Sequence, residues 1–384
     1  MPRDRPKNVC FVTGTRAEFG LMRTALHAIR SHPKLRLQIV ATGMHLQPQF
    51  GRTIDGIEKD GWRVDQTVPW PSCTSPIQTA AAMGSAAAAL PGVFQRLKSD
   101  AVLVVGDRVE AFAAAAAAHV SGGIVAHVHG GDRAIGQVDD SLRHAITKLA
   151  HIHFPATARS ASRLRKLGED AWRIHRVGSP GVDGIHQEAA QPEEVLRAFP
   201  DVRANRFALL VLHPTTTDPI AEKRHATMLL HAVRRAGFDR VVIVYPNNDP
   251  GSQGIIQCWR ELKTQHGITL RPDIPRPLFL ALMRDAAVLT GNSSSGIIEA
   301  ASFGTPVLDV GDRQARRERS GNVLHVDFNP SQIHTALKRI WNVGQPRRSR
   351  AANVYGGDGA GRQIANVLAS LTIDDRLVRK LIAY

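Results

Sequence analysis

Short, mostly apolar runs recur along this chain, each closed by a loop rich in polar residues or glycine and followed by a stretch of helical composition. AVLVV runs into GDRVE, IVAHV into HGGD, FALLV into LHPTTTD and AVLT into GNSSSG. A strand that is apolar on both sides has to be covered on both faces, which a parallel sheet between helices achieves. Such sheets bind ligands at the carboxyl ends of their strands, so function is expected in the loops. The alternation restarts after the glycine- and proline-rich stretch 178–183, and a chain of 384 residues exceeds what one hydrophobic core supports. Two parallel α/β halves are predicted: 1–178 as an N-terminal domain, 179–355 as a C-terminal one, and 356–384 as a terminal helix packing back on the first. The stretch 178–183 is the expected hinge.

Chemistry is densest over 125–148, VAHVHGGDRAIGQVDDSLRHAITK. A strand over 124–128 breaks at Gly130 and Gly131, and a helix restarts at Asp139 or Asp140, either of which can cap it. Leu142, Ala145, Ile146 and Leu149 then form the apolar stripe. Asp139 and Arg143 lie four apart, as do Asp140 and His144, so each pair shares a face. One reading is a cap with solvated ion pairs. The other is a site, because acid, imidazole and guanidinium groups crowd one strand-to-helix loop.

Elsewhere the same two readings recur. Asp107 and Arg108 follow the strand 101–105, where Asp107 either meets a ligand or caps the next helix. Arg16 sits in the glycine turn GTRAEFG at a helix start, a place for an anion or for an ordinary surface arginine. The loop GMHLQPQFG reads as a mobile flap. In the second half, Ser293, Ser294 and Ser295 offer hydroxyls and backbone N–H groups to a phosphate, ahead of a helix beginning near Ile297 whose first turn carries Glu299. A serine-rich N-cap is the plainer alternative. His213, in HPTTTD, is either a phosphate contact and acid–base group or a structural histidine.

The net charge of +15 is spread along the chain, densest at 313–319, with 5% aromatic residues and no zinc-finger or RNP-like pattern. This disfavours nucleic acid and suits anionic small molecules. Cys10, Cys73 and Cys258 are too scattered for a disulfide framework or a metal site, so no metal and no cofactor are expected. Apolar runs fall short of a membrane span and the first twelve residues lack a signal-peptide core, so no membrane association and a cytoplasmic location are expected.

GTRAEFG, GDRVEAF, HVHGGD with DDSLRHAITKLAHIHF, RVGSPGVD, HPTTTD and GNSSSGIIEAASFGTPVLDVGDRQ follow one another between residues 9 and 370. In that order they resemble the hydrolysing UDP-N-acetylglucosamine 2-epimerases of sialic- and legionaminic-acid pathways. The resemblance implies the GT-B fold: two Rossmann-like domains with parallel sheets and a cleft between them, the nucleotide mainly on the C-terminal one. It implies elimination of UDP from a UDP-linked 2-acetamido sugar, a glycal intermediate, and hydration with inversion at C2, in a homodimer or homotetramer. Asp107 and Asp139 fall on the family's catalytic acids and Glu299 on its ribose-binding glutamate. Arg16, His213 and the three serines would stabilise the departing UDP, and Glu18, Arg108, Arg143, His144, Gly296 and Arg313 complete the expected binding set. One departure stands out: where the family's HxEGG segment has glutamate, this chain has His129. His129 or Asp132 is the expected replacement. Selectivity at C4 and C6 is assigned to the loop 43–52. The alternatives are a non-hydrolysing epimerase, a GT-B glycosyltransferase and a sugar-nucleotide-binding protein without catalysis.

Overall fold

The computed structural model describes residues 5–48, 52–73, 75–133, 138–246, 251–262, 265–342, 345–356 and 359–384. Its first unit comprises Met1–Arg133, Gln137–Asp183 and Tyr355–Tyr384, its second Gly184–Val354. The division thus falls at Asp183, five residues beyond the expected 178, and the last thirty residues belong to the first unit.

In the first unit the apolar runs become β1 (Lys7–Thr13), β2 (Leu35–Ala41), β4 (Ala101–Val105), β5 (Ile124–Val128) and β6 (Ile152–Phe154), joined by a two-residue β3 (Gln66–Thr67). All pair in parallel, in the order β3-β2-β1-β4-β5-β6. Successive residues pack to opposite sides: Val9, Phe11, Leu103 and Val105 join one core, Cys10, Val12, Val102 and Val104 the other. That is why these strands are apolar throughout. The second unit has β7 (Phe207–Val211), β8 (Arg240–Val244), β9 (Ile268–Arg271), β10 (Val288–Gly291), β11 (Val307–Val310) and β12 (Val323–Val326). These are also parallel, in the order β12-β11-β10-β7-β8-β9. Counted within each unit, both orders are the same, so each sheet is a Rossmann-like doubly wound sheet. The winding reverses between β1 and β4 and between β7 and β10, and ligands of such sheets bind at that switch point. GTRAEFG and GDRVE flank the first reversal, HPTTTD and GNSSSG the second.

Three expectations change. The helix Pro76–Leu97 is, by length and composition alone, apolar enough to cross a membrane, with a mean hydropathy of 1.2 over its best window, so one apolar stretch does reach that length. Ala82, Ala86, Leu90, Val93 and Phe94 bury its inner face against the sheet and the alanine helix Val109–Val120. The supposed flap begins as a packed 3-10 turn, Gly43–Leu46, with His45 fully buried; residues 49–51 lie outside the described residues. The supposed hinge is pinned within the first unit: Ser179 N–H donates to Tyr355 O at 2.8 Å, and Asp183 accepts the N–H groups of Gly359, Ala360 and Gly361. Asp183 thereby caps the helix Ala360–Ser370, which packs on the helix Arg16–Ser31.

Candidate active site

At the first switch point, the loop after β1 is closed by its own side chains. Thr15 caps the helix Arg16–Ser31 by accepting Glu18 N–H at 3.3 Å, and Glu18 Oε2 accepts the N–H groups of Gly14 and Thr15 at 2.9 and 3.0 Å. Glu18, expected to contact substrate, is engaged in this capping box, while Arg16 is exposed beside it. Burial pushes the Glu18 carboxyl up to about 7; Arg108 opposes the shift and Glu110 adds to it.

Asp107 does not cap the helix Val109–Val120, whose N-cap position is Arg108. Its Oδ2 instead accepts Arg143 Nη2, and Arg143 Nη1 donates to the His129 carbonyl at 2.8 Å. Arg143 projects from the helix Asp139–Leu149 into the protein with 2% of its surface exposed. Burial works against its charge, but Asp107, Asp132 and Asp139 together raise its pKa, so the guanidinium stays protonated. This buried arginine corrects two details of the helix. Of the expected stripe Leu142, Ala145, Ile146 and Leu149, Ile146 is buried and Leu149 packs against the core, but Arg143 and Thr147 take the rest of the inner face; the N-cap is Val138, with Asp139 and Asp140 inside the first turn and no side-chain cap. His144 and Asp140 pair along its flank at 3.4 Å, as the spacing predicts.

His129 follows β5 in the left-handed region at φ 62°, which a non-glycine residue adopts only under local constraint. Both ring nitrogens are engaged: Nδ1 with Asp132 Oδ2 at 2.8 Å, Nε2 with Ser179 Oγ at 2.9 Å. Asp132 Oδ1 also accepts Ser160 Oγ–H at 2.6 Å. A chain Ser179–His129–Asp132–Ser160 therefore runs through the interior, its four members all buried. Behind it His127, held near 3 by burial, is neutral and hydrogen-bonded to Gly106 O at 2.8 Å. Asp107 and Asp139 are the partly exposed carboxylates of this group. Ser160 lies in no motif singled out above, and Ser179 lies in the expected hinge and in RVGSPGVD with no role of its own assigned.

At the second switch point, Gly291 has φ 126°, and a β-carbon there would meet Val211 O at 2.0 Å, so only glycine lets β10 approach β7 so closely. Asn292 then joins the two loops, accepting His213 N–H at 2.7 Å and donating to His213 O at 2.9 Å. Its carbonyl accepts Arg313 Nη1 at 3.2 Å. Burial, with Arg313 nearby, holds the His213 imidazole neutral and well below its ordinary pKa. Ser293 is the N-cap and Ser294 and Ser295 open the helix Ser294–Ile298, so the helix starts three residues earlier than expected. Ser293 Oγ and Ser295 Oγ lie 2.8 Å apart, and Gly296 packs against Leu289 and Val307. Glu299 is the C-cap, not a first-turn residue, and accepts Arg276 Nη1 at 2.7 Å while Arg276 Nε reaches Glu188. Asn292, Arg276 and Glu222, which takes three donors from Thr215 and Thr216, carried no signal distinguishing them from surface polar residues. Among the described residues no group of three or more His, Cys, Asp or Glu is placed to hold a metal ion.

The family model for UDP-N-acetylglucosamine 2-epimerase matches residues 27–369. This chain belongs to that family. Among curated relatives, the UDP-N,N'-diacetylbacillosamine 2-epimerase (hydrolyzing) of Legionella pneumophila is 34% identical over 383 residues, covering 98% of this chain and 100% of the relative. The UDP-N-acetylglucosamine 2-epimerase of Neisseria meningitidis serogroup B is 32% identical over 352 residues, 92% of each chain. The crystal structure of UDP-GlcNAc 2-epimerase from Neisseria meningitidis bound to UDP-GlcNAc superposes with a TM-score of 0.82 at 20% identity, covering 94% of this chain and 99% of that one. The fold shared with this epimerase is of the expected GT-B type, built from two Rossmann-like units.

Proposed function

We propose that this member of the epimerase family is a hydrolysing NDP-sugar 2-epimerase. Its substrate is UDP-N-acetylglucosamine or a UDP-2,4-diacetamido-trideoxyhexose, and its products are UDP and the free 2-epimeric sugar. The observation that carries the reading is the convergence of Asp107, His129, Asp132 and Arg143 at the strand ends of the first sheet. The name of the Legionella relative supports the hydrolysing mode.

In the elimination a proton leaves C2 and the C1–O bond breaks, so UDP departs with the bonding pair and a C1–C2 double bond remains. Hydration then returns a proton to C2 from the opposite face and adds hydroxide from water at C1. Asp107 and Asp139, the accessible carboxylates, are assigned the proton transfers, for which positioned groups commonly contribute about 10²- to 10⁴-fold. Arg143 is assigned to holding Asp107 rather than to binding substrate. His129 and Asp132 form the buried pair behind them, and with both imidazole nitrogens engaged His129 orients Asp132. Arg16, Arg108 and His144 are placed on the sugar side. The N-terminal unit is thus the catalytic half.

His213, Arg313, Ser293, Ser294, Ser295 and Gly296 are assigned to the nucleotide, whose departure needs preorganised donors worth roughly 10²- to 10³-fold each. Glu299, held by Arg276, is assigned to the ribose. We further propose sialic- or legionaminic-type acid biosynthesis as the setting, a homo-oligomer, and a cytoplasmic location, which three free cysteines suit.

The name of the Neisseria relative leaves the non-hydrolysing mode as the second reading. Incubation with each donor, followed by NMR, separates the two. Free UDP with a free manno-configured sugar is the expected result. A UDP-linked 2-epimer, or UDP-sugar binding with no turnover of either donor, overturns the proposal.

A further inference from the structure

The helix Val109–Val120 presents a nearly unbroken wall of alanine to the core, and one charged side chain, Glu110, stands in it with 4% of its surface exposed. Its carboxylate takes Arg108 Nε at 3.2 Å and Nη2 at 3.3 Å. Two glycine backbones wall the slot it fills. A β-carbon at Gly14 would lie 2.8 Å from Glu110 Cγ, and one at Gly43 would lie 2.7 Å from Glu110 Oε1 and 2.8 Å from Gly14 O. The loops after β1, β2 and β4 therefore meet on this one side chain.

A buried ion pair is a weak way to stabilise a fold, since apolar side chains in the same space usually serve as well. Alanine at 110 would continue the wall without burying a carboxylate. Charge at this place is better explained by the loops it organises. From the first loop Arg16 and Glu18 face the cluster, from the second His45, and from the third Arg108. His45, held near 4 by burial, is neutral and fixed between Thr13 Oγ1 at 3.0 Å and Thr53 Oγ1 at 2.8 Å.

We infer that Glu110 is a positioning residue: it aims Arg108 and seats the Gly43–Leu46 turn, so that arginine and turn recognise the sugar nucleotide as one rigid unit. The inference rests on the proposed function and names the element that sets sugar selectivity within it. Glu110 itself does not touch substrate.

The test is a double-mutant cycle of Glu110→Gln and Arg108→Met, with Gly43→Ala as a second probe that displaces the turn by crowding both Glu110 Oε1 and Gly14 O. Each is assayed on UDP-N-acetylglucosamine and its 2,4-diacetamido-trideoxy analogue. Glu110→Gln is expected to raise KM about 10- to 100-fold with a much smaller change in kcat, as loss of a charge-assisted contact to bound substrate does. It is also expected to bring the two donors' kcat/KM values closer together, and to have little further effect once Arg108 is methionine. Gly43→Ala is expected to shift KM and selectivity in the same direction. KM within threefold of wild type in Glu110→Gln or Gly43→Ala, or full additivity in the cycle, overturns the inference. Wild-type failure to turn over either donor instead overturns the proposed function. The same cycle is then read as the dissociation constant of UDP-N-acetylglucosamine by calorimetry, with the same expected ratios and the same refuting outcome.

Discussion

Replacing Arg143 with methionine removes the donor that joins Asp107 to the backbone of His129 while keeping most of the buried volume. Two contacts are lost, one to a carboxylate whose side chain is 20% exposed and one to a carbonyl at 2.8 Å. Breaking a buried ion pair by removing one partner costs about 3–5 kcal/mol. Water reaching Asp107 offsets part of that, so about 3 kcal/mol is the expected loss. For a unit of this size it corresponds to a fall of about 6–12 °C in the melting transition of the first unit. Activity should suffer more than stability does. With Asp107 released, a displacement on the order of 1 Å costs about 10²-fold in kcat. Arg143→Lys keeps the charge and one of the two contacts, so it should fall between methionine and wild type in both respects. The assays are urea or thermal unfolding and UDP release at saturating donor. A methionine variant within 1 kcal/mol of wild type and with kcat within threefold would refute the assignment of Arg143 as the group that holds Asp107.

Glu222 collects Thr215 N–H, Thr215 Oγ–H and Thr216 N–H on one oxygen, between 2.7 and 2.9 Å. Glu222→Ala should loosen the loop that carries His213 and weaken UDP binding by about tenfold in calorimetry, leaving the melting of the first unit unchanged. Glu169, fully buried, has a pKa lowered to about 2: burial alone would raise it, but hydrogen bonds from His153, Lys148 and Lys380 prevail. A depressed carboxylate stabilises the folded state above its unfolded pKa, so this contribution, about 3 kcal/mol, is present at neutral pH and lost as pH falls from about 4.5 to about 2. Glu169→Gln should therefore flatten the acid limb of the stability profile, and an unchanged limb would exclude Glu169 as its source.

Much of the candidate site is legible in the chain because it occupies contiguous loops. Asp107, His129, Asp132 and Asp139 all follow strands whose apolar runs are unmistakable, and a doubly wound sheet brings such loops to one edge whatever the details. Where the structure adds to or changes the reading, contacts that spacing alone does not reveal decided. Spacing pairs Arg143 with Asp139 and leaves both a solvated pair and a site open; Asp107, thirty-six residues away, draws the guanidinium inside. Glu18, a ligand candidate by its position in the turn, takes the N–H groups of Gly14 and Thr15 in a capping box. Glu299 was assigned to a first turn, but its helix begins three residues earlier than the serine run suggested.

Apolar runs that repel water on both sides admit little besides parallel strands under helices, so the fold class and the functional edge of each sheet follow from residue order alone. No internal repeat is visible in the residues, and yet the two sheets wind in the same order. Strand order is a property of which runs pair, not of what they contain. Likewise the partners of buried polar groups, Arg143 with Asp107, Glu110 with Arg108 and His129 with Asp132 and Ser179, were settled only by tertiary structure. A charge out of water must take whichever opposite charge or hydrogen-bonding group the packing brings within about 3 Å, however distant it is along the chain.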